Sequence, residues 1–257
     1  MDWRQAARSL PAVRALETKR WETARRQLIE SALDDPQALQ RFAPPAPLPD
    51  GYGATFDERV VELPWVFAQR PAGTVLDAGS ALNHEFVLRR LRPRLDDLHI
   101  VTLAPERDAF PELGVSYVYA DLRELPFSDG VYDTVVSVST LEHVGMDNTG
   151  YGGDAGGSAD PGAAARAAVA ELRRVLKPGG RLLLTVPFGR AESHGWLRQF
   201  DRAALDELVE AARPARVELQ VWRNGAAGWQ PLDPADAADA RYGEHKAEAV
   251  AAVAVSI

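Results

Sequence analysis

The chain has 257 residues, 46% of them hydrophobic, a formal net charge of −8 and no cysteine. This charge argues against a nucleic-acid partner, because proteins that hold phosphates concentrate Lys and Arg. Without cysteine there can be no disulfide, thiolate metal site or cysteine nucleophile. The first residues carry no apolar signal segment, and no stretch reaches the ~18 apolar residues of a membrane span. We therefore expect a cytoplasmic protein with no membrane partner.

Residues 1–50 predict an N-terminal helical extension that ends in a proline-rich linker. Four residues recur at helical spacing, namely Trp21, Ala24, Leu28 and Ala32. The Pro-Pro-Ala-Pro-Leu-Pro sequence at 44–49 is typical of a stiff extended segment. The extension either packs on the main domain or forms a lid over a pocket. Residues 51–257 form the second predicted unit, an α/β domain.

The segment just before the first strand contains a helix and one pair of opposite charges. Arg59 and Glu62 are one helical turn apart, so they can simply pair on the surface. The alternative is that Arg59, Tyr52 and neighbouring aromatic residues line a pocket. We favour the surface pair, since single charged residues are mostly exposed.

Apolar and β-branched segments then alternate with helical patterns. The predicted strands are an apolar run from residue 74 to Asp77, and residues 99–103, 115–120, 132–139 and 182–186, and the helices are residues 84–91, 163–176 and 202–212. This alternation predicts a parallel sheet with right-handed crossovers. Residues 217–222 and 249–257 break the alternation and predict an antiparallel strand pair at the sheet edge. The predicted fold is a Rossmann-like three-layer α/β sandwich, with a mostly parallel seven-stranded sheet and an antiparallel C-terminal strand.

Three sequence blocks in order resemble motifs of the class I S-adenosylmethionine-dependent methyltransferases. Residues 75–80 read Val-Leu-Asp-Ala-Gly-Ser, residues 121–133 begin Asp-Leu-Arg-Glu-Leu-Pro-Phe, and residues 171–185 contain Arg-Val-Leu-Lys-Pro-Gly-Gly. The resemblance covers about residues 70–190. It implies S-adenosyl-L-methionine as cofactor and methyl transfer to a small-molecule or sugar-like acceptor, at oxygen or nitrogen. The alternative is a non-catalytic binding protein of the same fold. A dinucleotide oxidoreductase is disfavoured by the missing Gly-x-Gly-x-x-Gly pattern.

The resemblance also implies a set of cofactor-binding residues at the carboxyl ends of the strands. The Gly79 turn would face the methionine part of the cofactor, the end of the second strand its ribose, and Asp121 and the Leu122 backbone N–H its adenine. The full predicted set is Asp77, Ala78, Gly79, Ser80, Asn83, Thr102, Leu103, Asp121, Leu122 and Ser139.

This sequence departs from the family pattern at two places in that set. The family's second glycine near position 81 is missing, and we expect Asn83 to supply the left-handed backbone instead. Thr102 stands where the family has an acid for the ribose hydroxyls, and Glu106 could reach back toward them.

The segment after the fourth strand contains the residues proposed for chemistry. Glu142 and His143 are candidate catalytic residues, with His143 acting as a base or as a pocket contact. Tyr151, His194 and Trp196 are candidate substrate residues. Residues 150–162 predict a mobile loop that either closes over substrate or is a linker. Trp229, Tyr242 and His245 either cover substrate or, as we favour, pack at the surface. No spacing of ligands demands a metal.

Overall fold

A computed structural model describes residues 11–152, 157–243 and 246–257, with the side chains of residues 11–14 left out. The helices are α1 (Pro11–Asp34), α2 (Pro36–Leu39), α3 (Arg59–Ala68), α4 (Glu85–Leu91), α5 (Pro161–Val175) and α6 (Arg202–Glu210). The strands are β1 (Thr74–Ala78), β2 (Asp97–Thr102), β3 (Val115–Tyr119), β4 (Tyr132–Val138), β5 (Leu176–Pro187), β6 (Glu192–Ser193), β7 (Arg198–Gln199), β8 (Arg216–Gly225), β9 (Gly228–Leu232) and β10 (Ala249–Ser256). Nowhere in these residues is there a helix with the length and apolar character that a membrane crossing requires.

The main sheet has the strand order β3-β2-β1-β4-β5-β10-β8-β9. Strands β1 to β5 pair in parallel, and β10 lies antiparallel between β5 and β8. The α/β class, the parallel sheet and the antiparallel C-terminal strand predicted from the sequence are therefore confirmed.

Two details of the predicted sheet were wrong. The sheet has eight strands rather than seven, because β9 folds back on β8 through a tight hairpin. The β8–β10 pair is consequently not the edge, which β9 occupies. Strand β9 has no alternating apolar pattern and contains Pro231. Proline is tolerated on an edge strand, where its missing N–H breaks no ladder, so the sequence gives little signal for a strand there.

Helices cover both faces of the sheet and form the three predicted layers. On one face, α1, α3 and α4 contribute Ile29, Trp65 and Val87 to a buried cluster. On the other face, α5 and α6 contribute Leu172 and Leu205. Helix α1 packs against α3 and adds a hydrogen bond from the Trp21 indole to the Thr55 carbonyl, 3.0 Å long. The N-terminal helix thus shares the core of the α/β domain.

The parallel register aligns the carboxyl ends of the first four strands at one edge of the sheet. Ala78 stands opposite Val101, and Thr102 opposite Tyr119. The strand order reverses between β1 and β4, where successive crossovers leave a crevice between them. Any site built at this edge draws on the loops that follow these strands.

Candidate functional site

A cavity of about 830 Å³, partly open to solvent, lies at the carboxyl ends of β1 to β4. Its volume falls within the range of small-molecule sites. Seven of the sequence-predicted site residues line it: Gly79, Thr102, Leu103, Asp121, Leu122, Ser139 and His143, together with Tyr151 from the predicted substrate set. The other lining residues are Arg59, Val101, Ala120, Arg123, Thr140, Val144, Gly145 and Asn148.

The turn after β1 brings the backbone close to this cavity. Gly79 has a φ of 114°, and its N–H donates to the Val101 carbonyl at 2.8 Å. A Cβ at position 79 would overlap the Thr140 side chain. Only glycine therefore fits both the backbone angle and the space.

The expectation that Asn83 supplies the left-handed backbone was wrong. Ser80 has the positive φ, 67°, and Asn83 does not. Asn83 is buried and braces the turn instead, since its amide donates to Glu106 Oε2 and to the Asp108 carbonyl, both at 2.8 Å. The Tyr117 hydroxyl donates to its other end. This bonding accounts for Glu106 as well, which meets Asn83 and is not among the cavity-lining residues.

The predicted residues Asp77, Ala78 and Ser80 are buried and are also absent from the cavity lining. Asp77 Oδ2 accepts the Leu82 N–H at 2.8 Å, so the carboxyl holds the turn closed from inside the protein. Burial raises the pKa of Asp77 to about 7, although the hydrogen bond from Leu82 opposes this shift. Asp77 shapes the turn, and Gly79 is the residue of that turn that reaches the cavity.

At the β3 end of the cavity, Asp121 and Leu122 present an acceptor and a donor side by side. The Arg123 guanidinium bonds to Asp121, with a shortest contact of 2.6 Å. This hydrogen bond lowers the pKa of Asp121, which is therefore ionised at neutral pH. Within the described part of the chain, the Leu122 N–H donates to no protein group.

At the β4 end of the cavity, Arg59 and Glu62 form a pair within a polar network. Glu62 is 1% exposed and ion-paired with Arg59. Its Oε1 accepts from the Ser139 and Thr185 hydroxyls, both at 2.6 Å. The predicted surface pair was therefore wrong. Helix α3 is buried on nearly every side, so its charged residues have no exposed face and must pair internally.

His143 follows β4 in a hydrogen-bonded turn and reaches the cavity between two aromatic rings. Its ring lies 5.0 Å from that of Tyr151 and stacks at 5.3 Å on Trp196. Its Nδ1 is 2.9 Å from the Trp196 carbonyl. A carbonyl only accepts, so Nδ1 carries the proton and Nε2 is left as the basic nitrogen. Burial lowers the pKa of His143, which is therefore mostly neutral at pH 7.

Glu142, the other candidate catalytic residue, does not line the cavity. Its side chain is 2% exposed, and its Oε2 has no hydrogen-bond partner among the described residues. Burial raises the pKa of Glu142 well above its ordinary value, so this carboxyl favours its protonated form. Its backbone carbonyl accepts from the Arg198 N–H at 3.0 Å, which ties this turn to strand β7.

The β6–β7 hairpin carries His194 and Trp196 to the rim beside His143. Trp196 is 41% exposed and lies edge-on to Tyr242 at 6.1 Å. His194 lies 5.4 Å from the same tyrosine and 3.4 Å from Glu192. The structure therefore groups all three candidate substrate residues near His143, although of them only Tyr151 lines the cavity.

Other sequence candidates fall elsewhere in the chain. Trp229 is fully buried and donates to the Phe56 carbonyl at 3.2 Å, so it is a core residue and does not pack at the surface. His245 and residues 153–156 of the predicted loop lie outside the described residues. Within the described residues, no group of three or more His, Asp or Glu is arranged to hold a metal ion.

Sequence reasoning missed most of the remaining lining residues by one or two positions. Arg123, Thr140 and Asn148 lie close in sequence to residues that were predicted. Arg59 is different, because it comes from a separate helix. Its signal was an acid and a base one turn apart at the start of a strongly apolar helix, a pattern that requires buried pairing.

A doubly wound sheet with this strand order, and with a polar cavity at its carboxyl edge, defines an open α/β protein of the nucleotide-binding type. Residues 97–184 match the family model of a methyltransferase domain. The match includes the block at 121–133 and most of that at 171–185, and the Gly79 turn precedes it. The resemblance of this chain to the class I methyltransferase family is thereby confirmed.

Comparison with individual proteins gives partial matches. A provisionally assigned methyltransferase of Encephalitozoon cuniculi (strain GB-M1) is 35% identical over 130 residues, or 51% of this chain and 51% of that protein. The match thus spans about half the length of this curated relative.

Solved structures match at lower identity. The YcgJ protein of Bacillus subtilis is 16% identical over 76% of this chain and 95% of that one, with a TM-score of 0.46. The N-methyltransferase NodS of Bradyrhizobium japonicum WM9, solved with S-adenosylhomocysteine, is 16% identical over 72% of this chain and 77% of that one, with a TM-score of 0.45. At these values the fold assignment rests on the sheet topology itself.

Proposed function

We propose that this protein transfers a methyl group from S-adenosylmethionine to a small-molecule or sugar-like acceptor, at oxygen or nitrogen. The observation that carries the proposal is the composition of the cavity. A glycine turn, an ionised Asp121 beside a free backbone N–H, and a neutral His143 all meet at the carboxyl edge of the parallel sheet.

The residues present fit the proposed cofactor. Asp121 accepts from the adenine amino group, and the uncommitted Leu122 N–H donates to the adenine ring. The Thr102 hydroxyl is available to the ribose, and Leu103 supplies an apolar wall. The close backbone approach at Gly79 leaves room for the amino-acid part. When bound, the cofactor supplies an electrophilic methyl group, so the protein's task is to position the acceptor and remove its proton.

In this proposal His143 is the general base. The Trp196 carbonyl fixes the tautomer, and Nε2 accepts the proton of the acceptor hydroxyl or amine. Glu142 does not touch the acceptor, because its carboxyl is buried away from the cavity lining. It supports the turn that carries His143.

We place the acceptor beside the rings of Tyr151, Trp196 and His194. These side chains adjoin His143 and are partly exposed, as a binding surface for a partly apolar ligand requires. Residues 1–50 act as a packing extension of the 51–257 domain, since no described residue of that extension lines the cavity.

Calorimetry tests the cofactor assignment directly. S-Adenosylmethionine and S-adenosylhomocysteine should bind, and NAD should not. The Asp121→Ala variant should bind both sulfur compounds at least about tenfold more weakly, since hydrogen bonds to charged groups contribute about 1.5–3 kcal/mol. Absence of binding by either sulfur compound up to millimolar concentration would refute the proposal.

One observation favours the alternative, a non-catalytic binding protein of the same fold. Asp121 is already engaged by Arg123, and the Gly79 turn contains one glycine where the family usually has more. A protein of this kind would bind S-adenosylhomocysteine but show no turnover with any acceptor. An activity screen that releases S-adenosylhomocysteine separates the two functions.

A further inference from the structure

The guanidinium of Arg59 is the charged group in the cavity lining that sequence reasoning placed elsewhere. We propose that Arg59 binds the α-carboxylate of the cofactor's amino-acid part. This inference rests on the proposed function, since it assigns one end of the same ligand. It concerns a residue outside the methyltransferase-domain match, which begins at residue 97.

Arg59 has hydrogen-bond donors to spare. Among the described residues, the hydrogen-bond partner of its guanidinium is Glu62, which contacts Nη1. The side chain is 24% exposed and lines the cavity, and none of its nitrogens is both buried and unpaired. Its Nε and Nη2 are therefore available to a ligand. The planar fork of arginine donors matches the geometry of a carboxylate.

Glu62 holds this guanidinium in place before any ligand arrives. Its Oε1 is fixed by two hydroxyl groups, from Ser139 on the loop after β4 and Thr185 in β5. Its Oε2 is thus oriented toward Arg59 by the sheet itself. A fixed guanidinium loses little conformational entropy on binding, so its hydrogen bonds contribute more to affinity.

The charges around Arg59 favour a zwitterion over a simple anion. Glu58 and Asp57 lie near the guanidinium in addition to its partner Glu62. A ligand with a carboxylate alone would meet these acids without compensation. An amino-acid group carries an ammonium beside its carboxylate and so faces the cluster with both charges matched.

The position along the sheet agrees with the length of the ligand. Asp121 follows β3, whereas Gly79 follows β1 and Ser139 follows β4. With strands about 4.8 Å apart, the β3 and β4 ends are separated by three strand spacings, or about 14 Å. A nucleoside whose adenine lies at Asp121 therefore extends its amino-acid chain toward Gly79, Ser139 and Arg59.

Two ligands that differ only at the amino-acid end test this assignment. S-Adenosylhomocysteine carries the α-carboxylate and α-ammonium, and 5′-deoxy-5′-methylthioadenosine lacks both. By calorimetry, Arg59→Ala should weaken binding of S-adenosylhomocysteine at least about tenfold and change that of methylthioadenosine less than about twofold. The exposed Arg89, which pairs with Glu85 on α4, provides the control variant Arg89→Ala, and both affinities should stay at wild-type values.

Removing Arg59 alone leaves the buried Glu62 charge unpaired, so the single variant can unfold. The double variant Arg59→Met with Glu62→Gln removes both charges and keeps acceptors for Ser139 and Thr185. It should show the same selective loss, with circular dichroism confirming the fold. An equal loss for both ligands, or no loss for either, in the folded double variant would overturn the assignment. Failure of the wild-type protein to bind either ligand would instead refute the proposed function, and this assignment with it.

Discussion

His143 shows how its surroundings prepare a single side chain for chemistry. Its ring is held by stacking on Trp196 and by the carbonyl of that same residue. The carbonyl selects the tautomer, and burial lowers the pKa. Both effects favour a neutral imidazole with a basic Nε2 at physiological pH.

We expect His143→Ala to lower turnover by about 10²- to 10⁴-fold, the usual contribution of a general base. The affinity for S-adenosylhomocysteine should change little. The wild-type rate should be constant near pH 7 and fall on the acid side only below about 6.5, the ordinary histidine value, because the pKa is lowered. Initial rates across pH 5 to 9 are the measurement.

The matching control is His99, a histidine remote from the cavity that bonds to the Tyr132 hydroxyl at 2.7 Å. His99→Asn should keep both the rate and the acid limb. Full turnover in a folded His143→Ala protein that still binds S-adenosylhomocysteine would show that His143 is a pocket contact.

Asp77 is the residue where sequence and structure give different roles. It was predicted to contact the cofactor, yet its carboxyl is fully buried and accepts the Leu82 N–H. Burial raises the pKa to about 7. The folded state thus holds the proton more tightly than the unfolded chain, whose aspartate titrates near about 3.9. Ionisation of Asp77 therefore costs folding stability as the pH rises from about 4 to 7.

Asp77→Asn should remove this dependence while keeping an oxygen acceptor for Leu82. Relative to wild type, the variant should gain stability between pH 5 and pH 8, by up to about 4 kcal/mol from a shift of about three pKa units. Urea unfolding at the two pH values gives the difference. A wild-type-minus-variant difference that does not change with pH would contradict the buried titration.

At the scale of elements, the β1–α4 turn combines a backbone constraint with a packing constraint. Gly79 has a positive φ, and the Thr140 side chain fills the space beside it. Thr140 belongs to the loop after β4, so the turn and that loop fit together across the crevice. Alanine at position 79 would disturb both segments.

We expect Gly79→Ala to lower the free energy of unfolding by more than about 2 kcal/mol, the sum of backbone strain and steric overlap. Gly51 offers a matched control, because it has a φ of 77° with open space beside it. Gly51→Ala should cost only the backbone part, about 1–2 kcal/mol. Equal losses for the two variants in urea unfolding would mean that the contact with Thr140 contributes nothing.

The elements differ in how far the sequence predicts them. Strands β1 to β5 and the helices between them follow from apolar runs and periodicity, because a buried parallel strand must be apolar throughout. Strand β9 escaped prediction since its Trp229-to-Leu232 stretch carries a proline and no alternation. The buried Arg59–Glu62 pair was misassigned because residue spacing indicates neighbours on a helix and says nothing of what covers them.

At the scale of the whole molecule, the edge where the site lies was predictable and the contents of the site were only partly so. Parallel strands place their carboxyl ends together, so Gly79, Asp121 and His143 were expected to share one edge. The neighbours of each side chain depend on loops that no period encodes. Asn83 bonding to Glu106 and Trp196 stacking on His143 are contacts between loops of distant sequence.

The whole-molecule consequence of cofactor binding is a gain in stability, because a ligand that binds only the folded state shifts the unfolding equilibrium. S-Adenosylhomocysteine at about 100 times its Kd should add about 2.7 kcal/mol. For a domain of this size that corresponds to a rise in Tm of roughly 5–10 °C. NAD at the same concentration should leave the Tm unchanged. Asp121→Ala should show a smaller rise than wild type at equal ligand concentration, since the adenine end loses its acceptor. A rise as large in this variant as in wild type would mean that the ligand is held without the β3 end of the cavity.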